Sequence, residues 1–270
     1  MSKTPLGKPT QYPEEYSPQV LYAVPRSEAR NALGLGEELP FQGEDVWNAW
    51  ELTWLEPSGK PVVATAVITV PADSTNIVES KSLKLYLNSL AMSRYASADE
   101  VAQIISRDLS EITEAQVITR ITPANESSTG QIANLPGDCI DDLDVQIDAS
   151  GVDATILKTT CENSIDEELH SHLLRSNCPV TNQPDMGSVL IRYQGPAIDR
   201  ESLLRYIVSF RHHKDFHETC IERMFLDIKA RCSPDRLTVY ARYNRRGGLD
   251  INPFRSDFET TAENSRLWRQ

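Results

Sequence analysis

Two comparable α+β units are what this chain predicts, and three observations carry the prediction. Its 270 residues exceed one ordinary domain of about 150. Hydrophobic periodicity gives strand, strand, helix, helix, strand in the first half and a comparable order in the second. A short internal match then sets residues 77–87 against 216–226, at an offset of 216 − 77 = 139.

The elements follow in order. Trp50-Glu51-Leu52-Thr53-Trp54 alternates apolar and polar residues, and 62–70 is a β-branched run. Pro57-Ser58-Gly59-Lys60 carries turn chemistry between them, which predicts a hairpin. Leu83, Tyr86, Leu87 and Leu90 recur at helical spacing, as do Val101, Ile104, Ile105, Leu109 and Ile112. Residues 117–121 read as a strand. In the second half, 188–193 reads as a strand, and Leu203, Leu204, Ile207 and Val208 as a helix. A second helix runs through Ile221, Met224, Phe225 and Ile228, and a strand covers 237–243.

Charge helps to place the boundary. Residues 138–168 hold ten acidic side chains against Lys158 alone, so they read as a connection or surface segment. The turn at 134–138 sets the division near 140, giving units 19–140 and 141–270. Residues 1–18, with four prolines and little apolar content, read as an extended arm. In the internal match, Glu79 aligns with Glu218, each just before a predicted helix.

Composition narrows the function classes. The formal charge is 27 − 39 = −12. A protein that grips a nucleic-acid backbone usually pools positive charge, so a small-molecule substrate is expected and direct nucleic-acid binding is not. No apolar run reaches 18 residues and no signal peptide is visible, so neither a membrane partner nor secretion is expected. Five scattered cysteines without a C-x-x-C pair argue against a disulfide framework and a thiolate zinc site, and fit a reducing cytoplasm.

Candidate chemistry centres on Cys178, in the polar, proline-bracketed stretch Ser176-Asn177-Cys178-Pro179-Val180-Thr181-Asn182-Gln183-Pro184-Asp185. A loop thiol becomes a nucleophile when its pKa of about 8.5 is lowered or a base takes its proton. Asp185 is the nearest such group in sequence. A loop cysteine without a role is an equal reading of these residues alone. Glu79 and Glu218 suit helix N-termini, and equally suit a ring that presents two parallel N–H donors. His213 and His217 stand at i, i+4 but lack the zincin glutamate, and no third ligand is suggested. His170 and His172 read as solvated, and no metal is expected. Arg245-Arg246-Gly247-Gly248 reads as a turn that could also meet phosphates.

The segment Glu79-Ser80-Lys81-Ser82-Leu83-Lys84-Leu85-Tyr86 resembles the signature of the QueF family, the NADPH-dependent 7-cyano-7-deazaguanine reductases of queuosine biosynthesis. The stretch around Cys178 and Phe216-His217-Glu218 resemble the same family, and the likeness spans nearly the whole chain in its longer, bimodular form. The resemblance implies two tandem tunnelling-fold (T-fold) modules, with antiparallel sheets and helices on one face, assembling into a barrel-forming homodimer. It implies that Cys178 attacks the nitrile carbon to form a thioimide, with Asp185 moving protons. By the same resemblance Ile77, Val78, Glu79, His217 and Glu218 bind the deazaguanine, and Ser80, Lys81, Arg246 and Gly247 bind NADPH. A reversible Cys178–Cys220 disulfide is a further expectation. The rival readings are a cyclohydrolase-like enzyme of the same fold and a catalytically silent purine-binding module.

Overall fold

The computed structural model describes residues 12–126, 132–147 and 151–270. It divides into two compact units. The first comprises Met1–Gly36, Asp45–Gly130 and Arg245–Asp250, and the second Glu37–Glu44, Gln131–Asn244 and Ile251–Gln270.

The first unit contains β1 (Ala23–Pro25), α1 (Arg26–Ala32), most of β2 (Gln42–Leu55), β3 (Pro61–Pro71), β4 (Asn76–Val78), α2 (Ser80–Ser89), α3 (Ala98–Thr113) and β5 (Ile118–Pro123). The expected hairpin is β2–β3. Its turn is closed by Glu56 N–H donating to Lys60 O and Gly59 N–H to Glu56 O, each at 2.8 Å, with Gly59 at φ 90°. That left-handed value suits glycine, which has no Cβ to clash. Along β3 every second residue from Ala64 to Val70 is buried, as a strand with one face in the core requires. β5 pairs antiparallel with β3, and β1 pairs antiparallel with β4. Leu83, Tyr86 and Leu90 on or beside α2, and Val101, Ile105 and Leu109 on α3, supply the helical side of the core.

The second unit contains β6 (Ile132–Ala133), β7 (Asp138–Cys139), β8 (Thr159–Ser171), β9 (Arg175–Asn177), β10 (Pro184–Ile198), α4 (Arg200–Ser209), α5 (His217–Cys232), β11 (Arg236–Tyr243), most of β12 (Leu249–Ser256) and β13 (Arg266–Leu267). Its main sheet runs β12-β11-β10-β8-β7, antiparallel between β8 and β12 and parallel only between β7 and β8. α5 packs on β11, and Ile221, Met224, Phe225 and Ile228 are fully buried.

Two strands lie where the sequence reads otherwise. The acidic stretch contains β7 and most of β8, so it is not simply a connection. The early part of β8 is mostly exposed and therefore shows no apolar alternation. Cross-strand and neighbouring ion pairs take its place, with Glu168 on Arg192 and Glu167 on Arg200, both at 2.5 Å. β12 buries polar side chains, among them Asp250, Asn252, Arg255 and Ser256, and so lacks the apolar signal of a strand.

The internal match is also re-registered. At an offset of 120, not 139, α2 corresponds to α4 and shares its local bonding. Glu79 and Asp199 are the N-caps, accepting from Ser82 N–H at 2.9 Å and Ser202 N–H at 2.8 Å. The Ser82 and Ser202 hydroxyls donate back to the cap carbonyls, and Ser89 and Ser209 donate to Tyr86 O and Tyr206 O. Tyr86 and Tyr206 each donate to an aspartate of the following helix, Asp108 and Asp227, at 2.6 Å. Glu79 and Glu218 are therefore not equivalent. The glutamate-hydroxyl pattern that aligned them arises separately, at the start of α2 in one unit and of α5 in the other.

Candidate active site

In the second unit, the β9–β10 hairpin carries both Cys178 and Asp185. Asn177 pairs with Pro184 and Ser176 with Asp185. Cys178 N–H donates to Gln183 O at 2.9 Å, and Asn182 N–H to Cys178 O at 3.0 Å. Asn182 takes a left-handed φ of 57°, a conformation that asparagine tolerates better than most residues. Directly opposed residues of an antiparallel pair share a face, so Ser176 and Asp185 point the same way. Cys178, two residues beyond Ser176, continues that face. It is 7% exposed, buried more deeply than its polar sequence neighbours imply.

The start of α5 is tied to this hairpin. Asn177 N–H donates to His213 O at 2.8 Å, and Asp215 N–H to Asn177 O at 3.2 Å. His217, the first residue of α5, then sets Nε2 3.3 Å from Asp185 Oδ2. A carboxylate accepts, so Nε2 faces it with a proton. The Nδ1 of His217 is buried without a hydrogen-bond partner among the described residues. The imidazole stacks on Tyr243 at 3.7 Å between centroids and 4° between planes. Glu218, in the first turn of α5, is buried. Cys178, Asp185, His217 and Glu218 thus all belong to one hairpin and the helix start bonded to it.

Behind them lie Ser176, Cys220 and Tyr243, all buried. Burial pushes both the Cys220 thiol and the Tyr243 phenol up, so each stays protonated. Cys178 and Cys220 are unbridged. Tyr243 was not singled out in the sequence. Its only signal there is its place at the end of a strand.

The first unit holds the remaining candidates. Ile77 and Val78 are buried in β4, and Glu79 follows as the cap of α2. Its Oε1 accepts from Lys81 N–H at 2.8 Å and its Oε2 from Ser82 N–H. Helix capping is therefore real at this glutamate. A carboxylate has about four lone-pair sites, so two remain for another donor. Ser80 and Lys81 open α2.

A cavity of about 320 Å³ in this unit is lined by Lys81, Lys84, Glu51, Gly247 and Gly248, with Leu52 and Leu85 as part of its apolar wall. Gly247 and Gly248 take φ 60° and 75°, and Arg246 N–H donates to Leu249 O at 2.7 Å. A Cβ on Gly248 would lie 2.6 Å from the Glu51 carboxylate. Two lysines and a tight left-handed glycine pair fit the phosphates of a dinucleotide. Lys84 was not among the expected cofactor residues. One helical turn after Lys81, it was legible from periodicity.

The expectation that His170 and His172 are solvated fails. His170 lies in β8, which buries it at 6% exposure, and His172, just past the end of that strand, is half-buried. Sheet pairing brings Cys139 to both, a grouping that linear spacing does not show.

A model of the family described as "Nitrile reductase, 7-cyano-7-deazaguanine-reductase N-term" matches residues 12–121, and one described as "QueF-like protein" matches residues 184–262. The NADPH-dependent 7-cyano-7-deazaguanine reductase of Desulfotalea psychrophila (strain LSv54 / DSM 12343) is 52% identical over 268 residues, covering 98% of this chain and 97% of that protein. Among solved structures, the archaeosine synthase QueF-Like in the apo form is similar at 16% identity and a TM-score of 0.32, covering 37% of this chain and 99% of that one.

Proposed function

The chain belongs to the 7-cyano-7-deazaguanine reductase family, and from that premise we propose that it reduces the nitrile of 7-cyano-7-deazaguanine to the aminomethyl group, with NADPH as reductant, in queuosine biosynthesis. The observation that carries the reading is the β9–β10 hairpin. It presents a buried thiol and a carboxylate on one face, with His217 bonded to that carboxylate.

A nitrile accepts hydride poorly, and covalent addition converts it to a more electrophilic C=N group. Cys178 Sγ adds to the nitrile carbon while its proton passes through Asp185 to the nitrogen, giving a thioimide with all atoms conserved. Asp185, reprotonated from solvent, gives nitrogen a second proton as the carbon takes up the first hydride; the resulting thiohemiaminal expels Cys178 as thiolate and leaves an iminium, which the second hydride converts to the amine. Glu79 and Glu218 hold the N–H edge of the deazaguanine, with backbone contacts from Ile77 and Val78. The unpartnered Nδ1 of His217 is open to a further hydrogen bond. Ser80, Lys81, Arg246 and Gly247 would hold NADPH, whose phosphates the lysine- and glycine-lined cavity fits. When bound, NADPH supplies hydride, and two equivalents are required because nitrile to amine is a four-electron reduction.

The reading extends to two T-fold modules, 19–140 and 141–270, with helices on one face of their sheets, in a cytoplasmic, barrel-forming homodimer that binds no nucleic acid directly. No helix among the described residues is long and apolar enough to cross a membrane. Counting NADPH consumed per nitrile lost tests the activity. The expected ratio is two, abolished in Cys178→Ala, with an adduct on the wild-type chain in intact mass spectra. A ratio of two that persists in Cys178→Ala would remove the covalent route.

A further inference from the structure

We propose that Cys139, His170 and His172 form a binding site for a zinc-class divalent cation, which clamps β7 onto β8 and takes no part in nitrile reduction. One ligand atom from each residue lies within 4.8 Å of the other two. The sheet produces this grouping. His170 is the last residue but one of β8, His172 lies just past the strand's end with its ring centroid 5.2 Å from that of His170, and the parallel pairing sets Cys139 opposite His170. The register is firmly held. Ile140 N–H donates to His170 O at 3.0 Å, and Gly137, at φ 76°, presses so close that a Cβ there would sit 2.1 Å from Glu168 O.

Each ring meets an outer oxygen through Nδ1, the kind of bond that holds a histidine ring in a metal site, and Nε2 is then the nitrogen left for the ion. His170 Nδ1 lies 2.9 Å from Pro136 O. A carbonyl only accepts, so Nδ1 donates and Nε2 is the nitrogen available to a cation. His172 Nδ1 lies 2.8 Å from the Ser188 hydroxyl, which accepts in the metal-bound state. The Asp141 carboxylate accepts from the Ser171 hydroxyl at 2.6 Å and from His172 N–H at 2.9 Å, which places a fixed negative charge next to the cluster.

One thiolate and two imidazoles are a borderline-soft donor set suited to zinc, with water in the fourth position. With bonds of about 2.0–2.3 Å, a tetrahedral zinc spaces its ligand atoms by about 3.3–3.6 Å. The cluster reaches that spacing by a shift of about an ångström, which the exposed Cys139 side chain can supply.

Cobalt(II) titration of the reduced full-length protein tests the site. The expected result is one ion per chain, displaced by zinc, with a thiolate-to-cobalt charge-transfer band. The band is lost in Cys139→Ser, retained in Cys178→Ser, and the affinity falls about 10–100-fold in Ser188→Ala. Cys139 is exposed, so its variant tests the ligand set without disturbing the core, and its nitrile reduction stays at the wild-type rate. No band, or a band unchanged in Cys139→Ser, overturns the proposal and leaves the reductase reading untouched.

Discussion

The carboxylate of Glu79 has two duties in this reading, and its counterpart in the second unit separates them. Glu79 caps α2 with two N–H bonds, and Asp199 caps α4 through Ser202 N–H. Losing a cap costs about 0.5–2 kcal/mol. Two accepted bonds put Glu79→Ala near the upper end, about 2 kcal/mol, and Asp199→Ala near about 1 kcal/mol. At about 2–4 °C per kcal/mol, melting falls by about 4–8 °C and about 2–4 °C respectively. Only Glu79 is asked to hold the base as well. Two hydrogen bonds to a charged acceptor contribute about 1.5–3 kcal/mol each, so Glu79→Ala should lower kcat/KM by about 10²–10⁴-fold. Asp199→Ala should leave it unchanged. Thermal unfolding followed by ellipticity gives the first number, and NADPH oxidation well below both melting points gives the second. If Glu79→Ala keeps kcat/KM within threefold of wild type, the glutamate is a helix cap and nothing more.

Asp185→Asn keeps the shape at His217 Nε2 but cannot shuttle a proton, so kcat should drop about 10²–10⁴-fold in the same assay. Glu222→Gln withdraws the charge that Arg255 meets at 2.9 and 3.1 Å with both groups buried. Loss of that buried charge should cost about 3–5 kcal/mol, read by urea denaturation. Tyr16 is pushed up to about 12 by burial and by its bond to Asp108. Because the folded value exceeds the unfolded one of about 10, this contribution to stability is complete below pH 10. It is lost as pH rises towards about 12. The phenolate absorbance lost in Tyr16→Phe should place Tyr16 ionisation near pH 12, and ionisation near pH 10 would contradict the pairing.

Much of the scaffold is legible in the chain because its strands and helices bury one face. β2, β3 and α3 show clean periodicity, and each occurs where that periodicity places it. β8 and β12 are hidden because ion pairs and buried polar side chains replace the apolar residues that a pattern search counts. The repeat was misread for a related reason. Its true register rests on caps and tyrosine–aspartate bonds, in which Asp199 replaces Glu79 without resembling it in length. At the site, Cys178 and Asp185 are close in sequence because they flank one hairpin. The Tyr243 stack and the Cys139 cluster depend on strand register, which linear spacing does not encode.

The β2–β3 and β8–β10 pairs differ in the length of their connections. In the first, β2 passes to β3 through the tight turn at residues 56–60. In the second, β8 passes to β10 through residues 172–183, which include β9 and Cys178. In the proposed reading the reactive thiol sits in that connection, while Asp185 lies on β10 and His217 on α5. Hairpin tips tolerate added length because few pairings depend on them. The short turn at Ser58 and Gly59 is therefore a vacant graft point, where a designer could extend the chain and install a second chemistry on a scaffold that already holds one.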